Sequence, residues 1–415
     1  MLRLSQSVLV NTAFRKYFIG TTISSIGNGM QFIGIAWFLY KLTGSSSSMG
    51  WLLATSSLSG ILFSPWIGVL IDKWDRRVVC IIADCFRGTI VLIIPILYYL
   101  DVLLIWQVYL IVFLMSIGDR FYLPASGGLV REIVPKTNLL SANSLSSMFN
   151  QLGLLIGTSI SGIIMMHFSP VFVMLLNAVS FYVSAFFTFL VRNNIVLPNN
   201  DSKKSSNFFS RFLEGVQYLK YNKLVLCIAV IQLILYIALY TSNVLLPSFT
   251  GEILKLGAKE FGIIDSAWAA GAIVGGFLLL KITSKIDEHK FLSIGMFCLA
   301  GSIIIFSNSN GLIQAVIGYF LMGLFFVSTR INSDTLIQSN VKTNFQGRVK
   351  STISMAISYI SFTSYLLVGY LGDMINIRFI YLALSIIIIL GGTFSIISIY
   401  LLKIYNRQNL NITIK

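Results

Sequence analysis

Charged residues are scarce in this sequence, and their scarcity excludes most classes of soluble protein. Lys, Arg, Asp and Glu make up 11% of the 415 residues, whereas about 25% is usual for a soluble domain. Hydrophobic residues make up 56%, and the mean hydropathy is +0.83. So few charges cannot cover the surface of a soluble enzyme, a nucleic-acid-binding domain or a disordered chain, even though the net charge is +15.

Histidine and cysteine are also rare, which argues against metal, redox and Ser/His or Cys/His chemistry. The two histidines are His167 and His289, and a metal site or a catalytic triad needs more than this pair offers. The four cysteines lie in apolar stretches with no CxxC pair. The motif G-x4-G-K-[ST] is missing as well, so the chain carries no ATP-hydrolysing loop. We therefore expect no enzyme activity, no cofactor and no metal.

Long apolar runs, in contrast, are abundant. Each is about 20 residues long, the length of a bilayer-spanning helix, whereas an outer-membrane barrel would alternate apolar and polar residues in segments of about 10. The first run is too long for a signal peptide, so we expect it to remain as the first helix. The runs predict an all-α membrane protein with twelve spans, over residues 17–40, 49–71, 78–100, 104–127, 142–166, 170–191, 223–249, 260–282, 291–308, 311–336, 349–372 and 377–402.

The basic residues predict the orientation of these spans. With a cytoplasmic N-terminus, 23 of the 30 Lys and Arg residues fall at inner segments, and the outer loops carry only Lys41, Lys255, Lys259 and Arg378. The positive-inside rule then places both termini of a multi-pass membrane protein in the cytoplasm. The excess positive charge faces anionic lipid headgroups, so we expect membrane lipids, and no nucleic acid, as partners.

A long polar segment divides the chain into two halves. We predict an N-terminal six-helix bundle over 1–192, a cytoplasmic linker over 193–222 and a C-terminal six-helix bundle over 223–415. From Phe208 onward the linker has helical apolar spacing, which predicts an amphipathic helix on the inner membrane surface, either a connector or a regulatory element. Lys-Thr-Asn at 136–138 recurs at 342–344, in the equivalent place of each half. A repeat of this kind predicts a transporter-like site at the midplane between the halves.

The segment between the second and third spans resembles a loop motif of the major facilitator superfamily, G-x-L-x-D-R-x-G-R-R. Lys73 is a conservative replacement and Asp75 stands where glycine is usual, while the matching residues are Gly68, Leu70, Asp72, Arg76 and Arg77. The resemblance implies the two-bundle fold of that superfamily and a gate on the cytoplasmic side. In that gate Asp72 would accept hydrogen bonds from a helix N-terminus, and Arg76 would pair with an acid.

A second segment, on the fifth span, is similar to the motif G-x3-G-P-x2-G-G of drug/proton antiporters. Gly153, Gly157 and Gly162 match, whereas Thr158 replaces proline and Ser161 replaces glycine. These departures leave open whether the segment serves antiport or only close helix packing.

Further segments resemble the macrolide-efflux-type branch of the superfamily, which also includes siderophore exporters. They are residues 23–28, the pair Asp84 and Arg87, residues 133–145 and residues 347–349. The resemblance implies export of a bulky amphipathic molecule, drug-, macrolide- or siderophore-like, across the bacterial cytoplasmic membrane in exchange for protons. We expect the transporter to work as a monomer with the proton gradient as its energy source.

Six charged residues lie inside predicted spans, where ionisable groups are costly and usually functional. Asp84 and Arg87 are spaced i, i+3, and Arg330 and Asp334 are spaced i, i+4, so each pair shares a helix face. Asp119 and Arg120 are adjacent and need partners on other helices. Two interpretations are open: the six residues form a structural ion-pair network, or one of the acids carries a proton during transport. Asp119 is favoured over Asp334 because its own helix offers no cation at i±3 or i±4, and Asp265 is a weaker third candidate.

Neutral polar and aromatic residues on two spans form the predicted substrate cavity. Each set shares one helix face: Ser24, Asn28 and Gln31 on the first span, and Gln232, Tyr236, Tyr240 and Asn243 on the seventh. Such a cleft suits a bulky amphipathic ligand, although any one of these residues could instead bridge two helices. Two other functions stay open: a lipid or lysolipid translocator, and a membrane sensor or accessory subunit without transport of its own.

Overall fold

A computed structural model describes residues 10–71, 74–191, 208–282, 287–342 and 345–413. Within these residues the chain forms thirteen α-helices, with a 3-10 turn at Lys136–Asn138 and a π-helical turn at Phe249–Ile253. The helices are α1 (Thr12–Thr43), α2 (Ser46–Ile71), α3 (Arg76–Tyr99), α4 (Ile105–Ile133), α5 (Leu139–His167), α6 (Pro170–Phe189), α7 (Phe208–Tyr221), α8 (Lys223–Ser248), α9 (Ala258–Ile282), α10 (Glu288–Ser307), α11 (Leu312–Asn340), α12 (Gln346–Met374) and α13 (Ile377–Thr413).

Each predicted span falls on one of these helices, and α7 is the predicted amphipathic segment. By length and apolar composition, ten helices of the described part of the chain qualify as membrane spans, namely α3 to α6 and α8 to α13. The other two long helices are α1 and α2. Helix α1 carries serines, threonines and two amides, Asn28 and Gln31, and these polar residues lower its hydropathy.

Local signals explain where α1 begins and ends. The side chain of Asn11 accepts hydrogen bonds from the backbone N–H groups of Ala13 and Phe14, at 3.0 and 3.2 Å, and so caps the first turn. Its amide nitrogen donates to the carbonyl oxygen of Ile133 at 2.7 Å, which ties the start of α1 to the end of α4. At the other end Gly44 adopts φ 61°, the left-handed conformation that commonly terminates a helix.

The helices group into two compact units. The first comprises Met1–Lys203 with Leu256–Ser266, and the second comprises Lys204–Lys255 with Ala267–Lys415. In the first unit α1 packs against α5 and α6, α3 packs against α4 and α6, and α2 packs against α4. In the second unit α10 packs against α11 and α13, and α8 packs against α11, α12 and α13.

Helix α7 packs against the start of α12, within the second unit. Glu214 pairs with Arg348 at 2.5 Å, and the ring of Tyr218 stacks on Phe345 with centroids 5.0 Å apart. The hydroxyl of Tyr218 also accepts a hydrogen bond from the backbone N–H of Lys342 at 3.2 Å. The amphipathic helix is thus held by protein contacts at the junction of α11 and α12, in addition to any contact with lipid.

Candidate functional site

The first unit contains a cavity of about 500 Å³, lined by residues from α1 to α5. Its polar lining comes mainly from α1 and α4, and its apolar lining comes from α1, α2 and α4. The polar and charged lining residues include Thr21, Thr22, Ser24, Ser25, Asn28, Gln31, Ser56, Arg87, Ser116, Asp119, Arg120, Ser126, Ser146 and Asn150. The apolar ones include Phe32, Ile35, Met49, Leu52, Leu53, Val112, Met115 and Leu123. The cavity therefore offers both kinds of surface that an amphipathic molecule needs.

All three cavity residues predicted on the first span line this cavity. Gln31 is buried, accepts a hydrogen bond from the amide of Asn177 on α6, and donates to the sulfur of Met115 at 2.8 Å. Its side chain is therefore held in place, and its role includes helix bridging. Asn28 differs, because its carbonyl oxygen is buried without a hydrogen-bond partner among the described residues.

Arg87 is the most heavily paired charge beside the cavity. Its guanidinium forms ion pairs with Asp84 on the same helix and, at 2.7 Å, with Asp119 on α4. The rings of Tyr122 and Phe181 lie 4.1 and 4.4 Å from the guanidinium carbon, close enough for cation–π attraction. Asp84 and Arg87 are 0% and 2% exposed, so this cluster is a buried charge network within α3, α4 and α6.

Asp119 has its partner on another helix. No cation stands at i±3 or i±4 on α4, and Arg87 approaches the carboxylate from α3. Its carboxylate is nonetheless 37% exposed, and the residue lines the cavity. Asp119 therefore connects the buried ion pair to the cavity.

Arg120 lies beside this network without joining it. In the described part of the chain Arg120 makes no ion pair, and its Nε is buried with no hydrogen-bond acceptor. The guanidinium lies against the backbone of α2, where a Cβ added to Gly60 would come within 2.6 Å of Nη2. Gly60 thus leaves the space that this side chain occupies.

Several polar atoms of the cavity wall share this lack of a partner. Within the described residues, the Oδ1 of Asn28, the Oγ of Ser146 and the Nε atoms of Arg87 and Arg120 are buried and without hydrogen bonds. Buried polar atoms are normally paired, and these four keep donor or acceptor capacity beside the cavity.

The gate motif is only partly covered by the structure. Asp72 and Lys73 lie outside the described residues, and Gly68 is part of α2. Arg76 pairs with Glu132 at the end of α4, at 2.9 Å. Arg77 donates to the carbonyl oxygens of Thr188, at 3.3 Å, and of Phe189, at the end of α6. The two arginines thus tie the start of α3 to the ends of two neighbouring helices.

Asp75, the residue that departs from the motif, caps α3. Its side chain accepts hydrogen bonds from the backbone N–H groups of Arg77 at 2.9 Å and of Val78 at 3.3 Å. Sequence reasoning treated this aspartate only as a replacement for glycine. Its position directly before a helical apolar pattern is an N-cap signal that could have revealed this role.

The glycines of the fifth-span motif allow close packing of α5. A Cβ on Gly153 would lie 2.7 Å from the Cβ of Ser25, and one on Gly157 would lie 2.9 Å from the backbone nitrogen of Met30. Gly162 faces the start of α9, where a Cβ would lie 3.0 Å from the carbonyl oxygen of Lys259. These contacts agree with the packing interpretation of the motif, and its role in antiport stays a prediction.

In the second unit Asp334 contacts a different residue from the one expected. Gln232 on α8 donates to its carboxylate at 2.6 Å, and within the described residues no ion pair joins Arg330 to Asp334. The shared helix face therefore does not produce the expected pair. Gln232 was predicted as a cavity residue, and its amide nitrogen forms this hydrogen bond between α8 and α11.

The aromatic residues predicted on the seventh span form a stack within the second unit. The ring centroids of Tyr236 and Tyr240 are 5.8 Å apart, and Tyr240 meets Tyr365 edge-on at 5.0 Å. Tyr236 also packs against Phe326 at 6.0 Å. Tyr240 is 8% exposed, so its ring contributes to packing of α8 on α12, whereas Tyr236 and Asn243 are half-buried.

The chain has relatives among bacterial transporters over most of its length. It is 24% identical to the MFS-type transporter YfiS of Bacillus subtilis over 384 residues, 91% of this chain and 90% of the relative. It is 22% identical to macrolide efflux protein A of Streptococcus pyogenes, covering 83% of this chain and 85% of that protein. It is 24% identical to the staphyloferrin A transporter of Staphylococcus aureus, covering 82% and 85%.

The fold and the family model lead to the same assignment. The crystal structure of the nucleoside transporter NupG superposes with a TM-score of 0.76 at 12% identity, covering 93% of this chain and 99% of that one. At this identity the likeness concerns the fold alone. A family model described as transmembrane secretion effector matches residues 5–411. The chain is therefore a multi-pass membrane transporter of the major facilitator superfamily and belongs to its transmembrane secretion effector family.

Proposed function

We propose that this transporter exports a bulky amphipathic small molecule across the bacterial cytoplasmic membrane by alternating access, in exchange for protons. The observation that carries the proposal is the cavity in the first unit. It combines aliphatic side chains with buried polar atoms that have no partner among the described residues. Such a lining suits a molecule with an apolar body and a few polar groups better than a sugar or an inorganic ion.

The topology we propose has twelve spans and two cytoplasmic termini. Ten helices meet the length and hydropathy expected of a span, and α1 and α2 supply the other two. The lower hydropathy of α1 is accounted for by the polar residues with which it lines the cavity, because a helix that faces a polar cavity need not be apolar all round. The distribution of Lys and Arg supports the orientation.

The relatives support export of a large molecule. The names of two of them refer to macrolide efflux and to staphyloferrin A, and both concern other proteins at low identity. They are 22% and 24% identical to this chain over 83% and 82% of its length. We therefore propose the general substrate class, a drug-, macrolide- or siderophore-like amphiphile, and no individual compound.

Proton exchange is proposed to involve Asp119. This acid lines the cavity and pairs with Arg87, so protonation would release the guanidinium from one of its two carboxylates. Asp84, Arg87 and Tyr122 are the other ionisable groups of this cluster, and Arg120 adjoins it. A change of charge at Asp119 would thus change the electrostatic balance of α3 and α4 together.

The loop between α2 and α3 is proposed as the cytoplasmic gate. Arg76 and Arg77 contact the ends of α4 and α6, which supports a role in holding this end of the first unit together. We expect Asp72→Asn to lower transport while expression stays near the wild-type level. Unchanged transport by this variant would remove the gate role of Asp72.

The test of the proposed function is flux in proteoliposomes that contain the purified chain alone. A panel of amphipathic drugs, siderophores and fluorescent lipids is offered with and without a pH gradient. We expect uphill movement of at least one soluble amphiphile that stops when the gradient is dissipated. Absence of any flux would favour the sensor or accessory role, because an accessory subunit needs its partner to act.

A lipid or lysolipid translocator is the second candidate, and Arg120 is the observation that favours it. A guanidinium without a partner among the described residues, next to an aliphatic wall, could meet a headgroup while the wall holds an acyl chain. In the same assay this candidate predicts movement of fluorescent lipid between leaflets and no response of soluble amphiphiles.

A further inference from the structure

The two guanidinium groups that line the cavity differ in their surroundings. Arg87 is 2% exposed, forms ion pairs with Asp84 and Asp119, and lies between two aromatic rings. Its charge is balanced inside the protein, so it has little capacity left for a ligand. Asp119, the acid that lines the cavity, is paired with Arg87, so Arg120 is the lining charge without a counter-charge among the described residues.

Arg120 has no counter-charge in the described part of the chain. Its neighbour Asp119 is occupied by Arg87 at 2.7 Å, and consecutive residues on a helix point in different directions. The Nε of Arg120 is buried without an acceptor, and the space left by Gly60 allows the guanidinium to lie against α2. Arg120 is thus a cation at the wall of the cavity whose Nε donor is unused among the described residues.

A guanidinium stays protonated at any physiological pH, and its planar donors match the oxygen atoms of an oxyanion. Inside a membrane protein, an ionised group without a counter-charge is costly and its pairing with an anion is correspondingly favourable. A cationic ligand would instead be repelled by Arg120. The aliphatic residues Leu52, Leu53, Val112 and Leu123 line the same cavity and suit an apolar body.

We infer that Arg120 makes the cavity selective for amphiphiles that carry an acidic oxyanion group, such as a carboxylate, a sulfonate or a phosphate. The inference rests on the proposed function, since it names the charge class of the molecule that this cavity takes. The oxyanion can belong to a soluble amphiphilic acid or to an anionic lipid headgroup. Both sources would place an oxyanion on Arg120. They differ in whether a soluble acid or a phospholipid displaces a bound anionic probe.

The test compares two probes that differ by one oxyanion group. The anionic probe is 8-anilinonaphthalene-1-sulfonate and the neutral probe is N-phenyl-1-naphthylamine, and both fluoresce when they enter an apolar site. Binding is measured by titration of the full chain purified in detergent, with the signal of protein-free micelles subtracted. We expect the wild type to bind the anionic probe more tightly than the neutral one.

Variants at Arg120 separate charge from packing. Arg120→Gln should weaken binding of the anionic probe by about tenfold or more, the size of one lost charge-assisted interaction, and leave the neutral probe unaffected. Arg120→Lys should keep most of the preference, and Gly60→Ala should reduce it because the added Cβ displaces the guanidinium. Arg131→Gln is the matched control, since Arg131 is exposed on the same helix. Equal binding of the anionic probe by the wild type and Arg120→Gln would overturn the inference.

Competition identifies the source of the oxyanion. Displacement of the anionic probe by dihexanoyl phosphatidylglycerol, lost in Arg120→Gln, assigns the site to a lipid headgroup. Displacement by octanoate, with the same dependence on Arg120, assigns it to a soluble acid, and displacement by neither contradicts the inference. Because binding is measured without transport, failure of export in proteoliposomes would leave this result intact. If the wild type exports a neutral amphiphile and shows no preference for the anionic probe, the anion site is refuted and the proposed export is not.

Discussion

Arg87 holds together the interior charges of the first unit. It is the only cation within 4 Å of Asp84 among the described residues, and Asp84 is fully buried. Removing one partner of a buried pair leaves a charge without compensation, which costs far more than the pair itself contributes. The position of Arg87 between Asp84, Asp119 and two rings is thus a requirement for a stable bundle.

Replacement of Arg87 by glutamine should therefore destabilise the protein strongly. We expect a loss of roughly 3–5 kcal/mol, the usual effect of breaking a buried ion pair, measured by thermal unfolding of the purified chain in detergent. The double variant Asp84→Asn with Arg87→Gln should recover part of the loss because it leaves no buried charge at Asp84. Arg131→Gln, at an exposed position of α4, is the control. Wild-type stability of Arg87→Gln would contradict this account of the cluster.

The two acids proposed for coupling should behave differently. Asp119 is 37% exposed and lines the cavity, whereas Asp334 accepts a hydrogen bond from Gln232 in the second unit. We expect Asp119→Asn to lose most of the acceleration of flux by a pH gradient, and Asp334→Asn to retain it. The measurement is substrate flux in proteoliposomes at several gradients. A wild-type response of both variants would exclude both acids and make Asp265 the next candidate.

Helix α1 both lines the cavity and packs closely against α5. One face carries Ser24, Asn28 and Gln31 to the cavity, while Gly29 and the backbone near Met30 receive α5. The first demand lowers the hydropathy of the helix, and the second requires small residues at the contact. The glycines of α5 therefore affect the cavity indirectly, because they set how closely α5 approaches the helix that lines it.

Gly157→Ala should disturb this packing. The added Cβ would lie 2.9 Å from the backbone nitrogen of Met30 and 3.0 Å from the Cα of Gly29, so α1 and α5 must move apart. We expect a lower melting temperature in detergent and weaker substrate binding. Gly127→Ala is the matched control, because no atom lies within 4 Å of its added Cβ. It should be neutral or stabilise by about 0.5–1 kcal/mol, since alanine favours the helix. If both variants melt alike, the close approach at Gly157 is unimportant.

Local features of the elements could be predicted from the sequence, and contacts between helices could not. Apolar run length identified each long helix, and the i, i+3 spacing identified the Asp84 and Arg87 pair. The partner of Asp119 depends on how α3 is rotated against α4, which no spacing along one helix reveals. Arg330 and Asp334 share a helix face but form no pair among the described residues. Gln232 from α8 contacts the acid instead, and this contact also depends on how two helices pack.

At the scale of the whole molecule, the topology can be tested without reference to any substrate. With twelve spans and positive loops inside, both termini should be cytoplasmic. We expect green fluorescent protein fused after Lys415 to fluoresce and alkaline phosphatase at the same place to be inactive. A phosphatase fused in the loop after Thr43, where α1 ends, should be active. An active phosphatase at the C-terminus would mean an odd number of spans or an inverted orientation.

We propose that the exported molecule binds in the cavity of the first unit. Substrate protection of a single cysteine tests this binding site. The four native cysteines are replaced by serine, and Ser56→Cys then places one thiol in the cavity lining with little change in size. Thr137→Cys, exposed in the turn before α5, is the control. The probe is an amphiphile that the wild type has transported in proteoliposomes.

We expect this amphiphile to slow maleimide labelling of Ser56→Cys in a concentration-dependent way. Its half-effect should lie near the concentration that half-saturates flux, and the labelling rate of Thr137→Cys should stay constant. An unchanged labelling rate at Ser56→Cys, at concentrations that saturate transport by the same variant, would contradict the claim that substrate occupies this cavity.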